Sequence, residues 1–237
     1  MTSILTKAIT GPSAWIAADF DGDDSWINVL SDTDIAAIDA AVAQAKARGV
    51  AYPNMSKEDI DFGFLEPKMV VWREELESGR GFFLLRGLPI ERYSDDEINL
   101  IYYGLGLHMG SPVGQNPQGD LLGTVMAVAD PTKKDTRVYQ TNLYLPYHTD
   151  PSDVVGLLCV RRAKRGGMSS LVSVASIYNR ILKNHRELLG LYYKQYWDAH
   201  LGNGTPMMTS LFSYNGGKLS CRYLRKYYEL GHEKKEV

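Results

Sequence analysis

His148 and Asp150 stand two residues apart in the stretch Leu145-Pro146-Tyr147-His148-Thr149-Asp150-Pro151. A proline pushes the residue before it toward extended backbone, so Leu145 and Asp150 are predicted to be extended. Along an extended chain, residues i and i+2 project to the same face. The His148 imidazole and the Asp150 carboxylate are therefore predicted to enter one space, as two ligands of one metal must. A neutral imidazole and a carboxylate suit borderline divalent ions, and two imidazoles with one carboxylate and open positions suit Fe(II) and O2 chemistry. Taken bare, the triplet also fits an ordinary surface turn.

The elements that must hold this stretch change character along the chain. Residues 11–30 mix Gly, Pro and Asp with Trp15 and Trp26, which read as anchors of an irregular arm. Ser31 and Asp34 begin a helix whose Ile35, Ile38, Val42 and Ala45 share a face, and Gly49 ends it. A second helix is predicted over about residues 67–77. Residues 81–85 (GFFLL) read as a short buried strand. Ser94 and Glu97 form a capping box for a third helix carrying Ile98, Ile101, Tyr102 and Leu105. From Leu121 the pattern turns to β, with strands predicted over residues 121–129, 138–143, 154–160 and 169–174. Helical segments follow over residues 176–184 and 186–193. Tyr214-Asn215-Gly216-Gly217-Lys218 is a hairpin turn between residues 209–212 and 219–223, and the charged tail from Lys226 is helical in tendency. Helices first and clustered short strands after them suit an α+β chain with a β-sandwich or jelly-roll core and helical buttresses.

Composition excludes several classes. With 237 residues the chain can bury a core without disulfide or metal staples. A net charge of −2 gives no basic footprint for nucleic acid or an anionic membrane surface. No apolar run reaches about 18 residues, so no membrane helix is predicted, and the first residues lack a signal-peptide pattern. The two cysteines, Cys159 and Cys221, lie in apolar or strand-like runs and read as core thiols of a cytoplasmic protein.

Five segments together resemble the TauD/TfdA family of Fe(II)- and 2-oxoglutarate-dependent dioxygenases. They are GRGFFLLRGLP (residues 79–89), YYGLGLHMGSPV (102–113), LPYHTD (145–150), VVGLLCVRRAKRGG (154–167) and FSYNGGKLSCRY (212–223). The resemblance implies a double-stranded β-helix, a jelly-roll variant, with N-terminal buttressing helices, and one domain over residues 1–237. It implies Fe(II) and 2-oxoglutarate as cofactors. It also implies O2 and a small-molecule substrate that is hydroxylated with release of succinate and CO2. His148 and Asp150 match the family's first two iron ligands. Ser169, just after Gly166-Gly167, falls where the family has a hydroxyl residue that touches 2-oxoglutarate. His108, Gln140, Asn142 and Tyr144 match regions that face substrate.

The family also uses a distal His as third ligand and, about ten residues later, an Arg that grips 2-oxoglutarate. No late segment of this chain carries that pair, so the jelly roll is expected to lack its last strands. Asp198-Ala199-His200, a reversed D-x-H, is the nearby rival for a third ligand, against a polar residue before a Gly-Asn-Gly loop. Two functions follow. One is an oxidoreductase of the dioxygenase type, or a fragment of one. The other is a relative that keeps the scaffold without the cosubstrate grip and serves as a binding or scaffolding protein.

Overall fold

The computed structural model describes residues 3–116, 118–128, 141, 143–199 and 205–235. Two compact units divide the chain. One comprises Thr10–Gly123 and Val154–Ser173, the other Met1–Ile9, Thr124–Asp153 and Val174–Val237.

The first unit is built on three helices: α1 (Asp32–Ala47), α2 (Glu66–Glu77) and α3 (Asp95–Met109). Ser31 caps α1 as its sequence predicts, and the Asp34 carboxylate accepts the Ser31 N–H at 2.9 Å. The same buried carboxylate takes Lys68 Nζ of α2 at 2.7 Å, so one residue starts a helix and ties a second to it. Ile35, Ile38, Val42 and Ala45 are buried on one face of α1, in a core with Phe62, Leu65, Met69, Trp72 and Ile101. Gly104 reads in sequence as a weak point of α3. It has a packing reason, because a Cβ there would lie 2.8 Å from Ile60 Cδ1 and 3.2 Å from the Phe62 ring.

The strand predicted over residues 81–85 is displaced. The observed β2 (Leu84–Arg86) pairs in parallel with β1 (Ile27–Val29), Ile27 opposite Leu84, and only Leu85 of β2 is half-buried. The displacement follows from the aromatics. Phe82 leaves the strand to pack against Trp15 at 5.2 Å and Phe20 at 5.5 Å, and Phe83 stacks on Trp72 at 5.8 Å. Trp15 thus does anchor the N-terminal arm, with its Nε1 donating to the Arg80 carbonyl.

At the start of α3, Lys46 Nζ at 2.6 Å and the Ser94 N–H at 2.9 Å hold the Glu97 carboxyl down at about 2, from an ordinary 4.5. A carboxyl depressed on folding stabilises the fold above its unfolded pKa, and that contribution disappears as pH falls through the folded value. Glu97→Gln is therefore expected to melt below the parent protein at pH 7, with the gap closing toward pH 2. Circular-dichroism melts across that range check it, and a gap independent of pH would refute the assignment.

The second unit holds two antiparallel pairs. β3 (Gln195–Asp198) pairs with β4 (Met207–Ser210), and β5 (Phe212–Asn215) with β6 (Lys218–Cys221). Gly216 and Gly217, with φ of +56° and +82°, close the β5–β6 hairpin at the predicted turn, where left-handed residues suit the strand twist. The helices are α4 (Val174–Asn184), α5 (Leu189–Tyr192) and α6 (Arg225–Lys234). Tyr178, Leu189 and Phe212 form the core of this unit. The N-terminal residues join it, since Ile9 exchanges two hydrogen bonds with the Asn179 side chain at 2.7 and 2.8 Å. Helix α6 lies directly on β3, where a Cβ at Gly231 would meet the Trp197 and Asp198 backbone.

The described residues thus carry helices and three two-stranded sheets. The segments predicted as strands over residues 121–128, 154–160 and 169–173 are irregular, and most of 138–143 lies outside the described residues. A strand needs a neighbour to take its backbone N–H and C=O groups, and no described segment pairs with 154–160. Its apolar side chains stay in solvent instead, Leu157 at 74% exposure, and Cys159 is exposed rather than a core thiol. No helix among the described residues is long and apolar enough to cross a membrane.

Candidate metal site

The H-x-D stretch belongs to the second unit and has no regular secondary structure. Its local geometry comes from three hydrogen bonds. His148 Nδ1 lies 2.8 Å from the Pro146 carbonyl oxygen. A carbonyl only accepts, so Nδ1 carries the proton and the Nε2 lone pair is free. His148 Nε2 lies 3.9 Å from Asp150 Oδ1. The two atoms are too far apart for a direct hydrogen bond. One ion with ligand bonds of about 2.1 Å would touch both only at an N–ion–O angle of about 136°, so the pair would have to close by about 1 Å to make the roughly 90° angle of a facial set. The His148 side chain is 23% exposed and that of Asp150 46%, so the pair is open to solvent on one side.

The remaining two bonds involve the residue between them. In an extended triplet, Thr149 points away from the face shared by its neighbours. Its N–H donates to the Tyr223 carbonyl at 2.8 Å, and its Oγ1 accepts the Tyr223 N–H at 2.8 Å. Each such bond contributes about 1 kcal/mol net. Tyr223 lies just beyond β6 and next to Arg222. The Arg222 N–H donates to the Leu211 carbonyl at 2.8 Å, and its carbonyl accepts the Tyr228 hydroxyl at 3.0 Å. Its guanidinium Nε donates to Asp198 Oδ2, and Asp198 is 2% exposed at the end of β3.

Beside the Asp198–Arg222 ion pair, two half-buried groups of this platform stay unionised. Burial pushes the Cys221 thiol up to about 11. Burial and then the Asp198 charge raise the Tyr228 hydroxyl to about 12. Both stay protonated at neutral pH, so Cys221 is neither a ready nucleophile nor a soft metal ligand.

The other residues singled out in the sequence are distributed between the units. Tyr144 is exposed and lies in the unit that holds His148. Ser169 is exposed in an irregular segment of the first unit. His108, also in the first unit, is buried in the last turn of α3 with Nε2 3.3 Å from the Ile60 carbonyl and its ring edge-on to Phe62. It lines a cavity of about 420 Å³ together with Lys57, Met69 and Arg73. Gln140, Asn142 and His200 lie outside the described residues, and Asp198, the first member of the reversed triplet, is already engaged by Arg222. Among the described residues no third His, Cys, Asp or Glu joins the pair.

Thr149 and Tyr223 were not singled out in the sequence. A hydroxyl residue set between two candidate ligands is a usable signal for Thr149. Nothing in the sequence pointed to Tyr223, because the bond spans 74 positions.

Residues 48–233 match the family described as "Taurine catabolism dioxygenase TauD, TfdA family". The chain is 33% identical over 253 aligned positions to "FR-33289 synthase" of Streptomyces rubellomurinus, covering 100% of this chain and 74% of that protein. It is 26% identical over 228 positions to "Taurine hydroxylase-like protein SAT17" of Stachybotrys chartarum, covering 92% of this chain and 59% of that protein. The chain thus spans less than the full length of both relatives. The family match covers most of the sequence and includes both residues of the His148/Asp150 pair, and the chain belongs to the TauD/TfdA dioxygenase family.

Proposed function

We propose that this protein is a non-haem Fe(II)- and 2-oxoglutarate-dependent dioxygenase that hydroxylates a small organic substrate, using O2 and releasing succinate and CO2. The observation that carries this reading is His148 Nε2 lying 3.9 Å from Asp150 Oδ1, with the ring oriented by Pro146. Membership of a dioxygenase family and the hydroxylase-like name of one relative support it.

In this reading His148 and Asp150 would hold the iron, which would supply the O2 activation and the oxidation of an unactivated C–H bond. The Pro146 carbonyl keeps His148 in the tautomer that ligates through Nε2 and raises its basicity. Asp150 contributes a negative charge that favours a divalent ion over a neutral occupant. By the family resemblance the Ser169 hydroxyl would contact 2-oxoglutarate. By the same resemblance His108, Gln140, Asn142 and Tyr144 would belong to regions that face substrate. Residues 1–237 are read as belonging to one cytoplasmic dioxygenase domain of the double-stranded β-helix type, of which the described residues carry three two-stranded sheets.

The test is anaerobic addition of Fe(II) and 2-oxoglutarate. A visible charge-transfer band is expected, followed on admission of O2 by stoichiometric succinate. The missing third donor among the described residues favours a second reading, a binding protein that keeps the scaffold. That reading takes over if neither band nor succinate forms.

A further inference from the structure

We infer that Thr149 is a positioning residue of the proposed metal site, in which it fixes the direction of the H-x-D stretch by clamping it to Tyr223. The inference rests on the reading of His148 and Asp150 as metal ligands.

Three observations carry it. First, the turn has no strand or helix of its own to fix it. His148 and Asp150 sit in a run without regular structure, and the Nδ1 contact to Pro146 orients only the ring relative to its own neighbours. Second, Thr149 makes a two-point contact with one residue, donating its N–H to the Tyr223 carbonyl and accepting the Tyr223 N–H on Oγ1, both at 2.8 Å. Two bonds to one residue fix orientation as well as distance. Because Thr149 is flanked by the two ligands, its orientation sets the direction in which both neighbours project. Third, the anchor is itself held. Arg222, next to Tyr223, is pinned through its N–H to Leu211, its carbonyl to the Tyr228 hydroxyl and its guanidinium to buried Asp198. The ligand pair is thereby referred to β3 and to the β5–β6 hairpin, the ordered parts of its unit.

The Oγ1 acceptor is the separable part of this device. Valine has the shape of threonine and keeps the backbone N–H, but it leaves the Tyr223 N–H without its acceptor. Residues that orient metal ligands typically change metal affinity by about 10–100-fold when removed. Thr149→Val in the full chain is therefore expected to weaken Co(II) binding by about tenfold or more. The d–d absorption of bound Co(II) reports both occupancy and ligand geometry. Thr149→Ser, which restores the hydroxyl, is expected to recover affinity and spectrum.

His148→Ala runs beside them. If it binds Co(II) as the parent does, the ligand assignment itself is wrong. If it loses the ion while Thr149→Val binds normally, the ligands stand and the clamp is refuted. Loss in Thr149→Val that serine does not rescue also refutes it, because the hydroxyl would not be the cause. Should the valine variant fail to fold, hydrogen exchange of the Tyr223 amide in the parent decides. Protection is expected, and exchange at the rate of a free amide overturns the inference.

Discussion

Replacing His148 by alanine is expected to reduce product formation by more than about a thousandfold, about 4 kcal/mol of transition-state stabilisation. His148 Nε2 lies 3.9 Å from Asp150 Oδ1, and no third His, Cys, Asp or Glu joins them among the described residues, so alanine leaves a single carboxylate. Asp150→Ala is expected to fall as far for the complementary reason, since it removes the negative charge that favours a divalent ion. Succinate formation with saturating Fe(II) and 2-oxoglutarate measures both. The fold should be little affected, because both side chains are partly exposed and neither packs in the Tyr178–Leu189–Phe212 core. Turnover within a few-fold of the parent in His148→Ala would remove this residue from the chemistry.

The largest stability effect is expected at Gly231. A Cβ there would lie 2.4 Å from the Trp197 carbonyl oxygen and 2.7 Å from the Asp198 N. The neighbours are backbone atoms of β3, which cannot rotate away as a side chain would. Overpacking in a close-packed region costs about 1–3 kcal/mol, and a clash with strand backbone belongs at the upper end of that range. Gly231→Ala is expected to lower the melting temperature by roughly 5–10 °C. Gly190, in α5, has nothing within 4 Å of its Cβ position and ordinary backbone. Gly190→Ala is expected to be neutral or slightly stabilising, because alanine loses less backbone entropy on folding. Thermal melts of the two variants side by side distinguish the clash from a general intolerance of glycine substitution. The effect should also reach the His148/Asp150 pair, since displacing α6 disturbs Asp198 and, through Arg222, the Tyr223 anchor.

What could be read from the sequence divides along physical lines. The helices of the first unit follow from local chemistry. Ser31 with Asp34 and Ser94 with Glu97 place the helix starts, and the apolar spacing from Ile35 to Ala45 selects the buried face. The turn at Gly216-Gly217 is equally local, because two adjacent residues with positive φ define it. Strand positions depend on partners, and these were less legible. The apolar run over residues 154–160 has strand composition and no described partner, while Gln195–Asp198 and Met207–Ser210 pair without a strong alternating pattern. The proximity of His148 and Asp150 was legible because an i, i+2 relation is enough to bring them together. Their anchor was not, because sequence spacing carries no information about a contact between residues 149 and 223. The third donor has no counterpart among the described residues.

Synthesis runs from the N-terminus, so Thr149 is made 74 residues before Tyr223. At about 5–20 residues per second that interval lasts roughly 4–15 s. During it, the Thr149–Tyr223 bonds cannot yet form, and of the three bonds that shape the stretch only the Pro146 contact is available. The competent pair forms when the β5–β6 hairpin closes and brings Tyr223 against Thr149. An ion that binds only the closed form in turn stabilises it by mass action. On the proposed function, metal acquisition would then be a late event in the life of the nascent chain, because it would wait on hairpin docking.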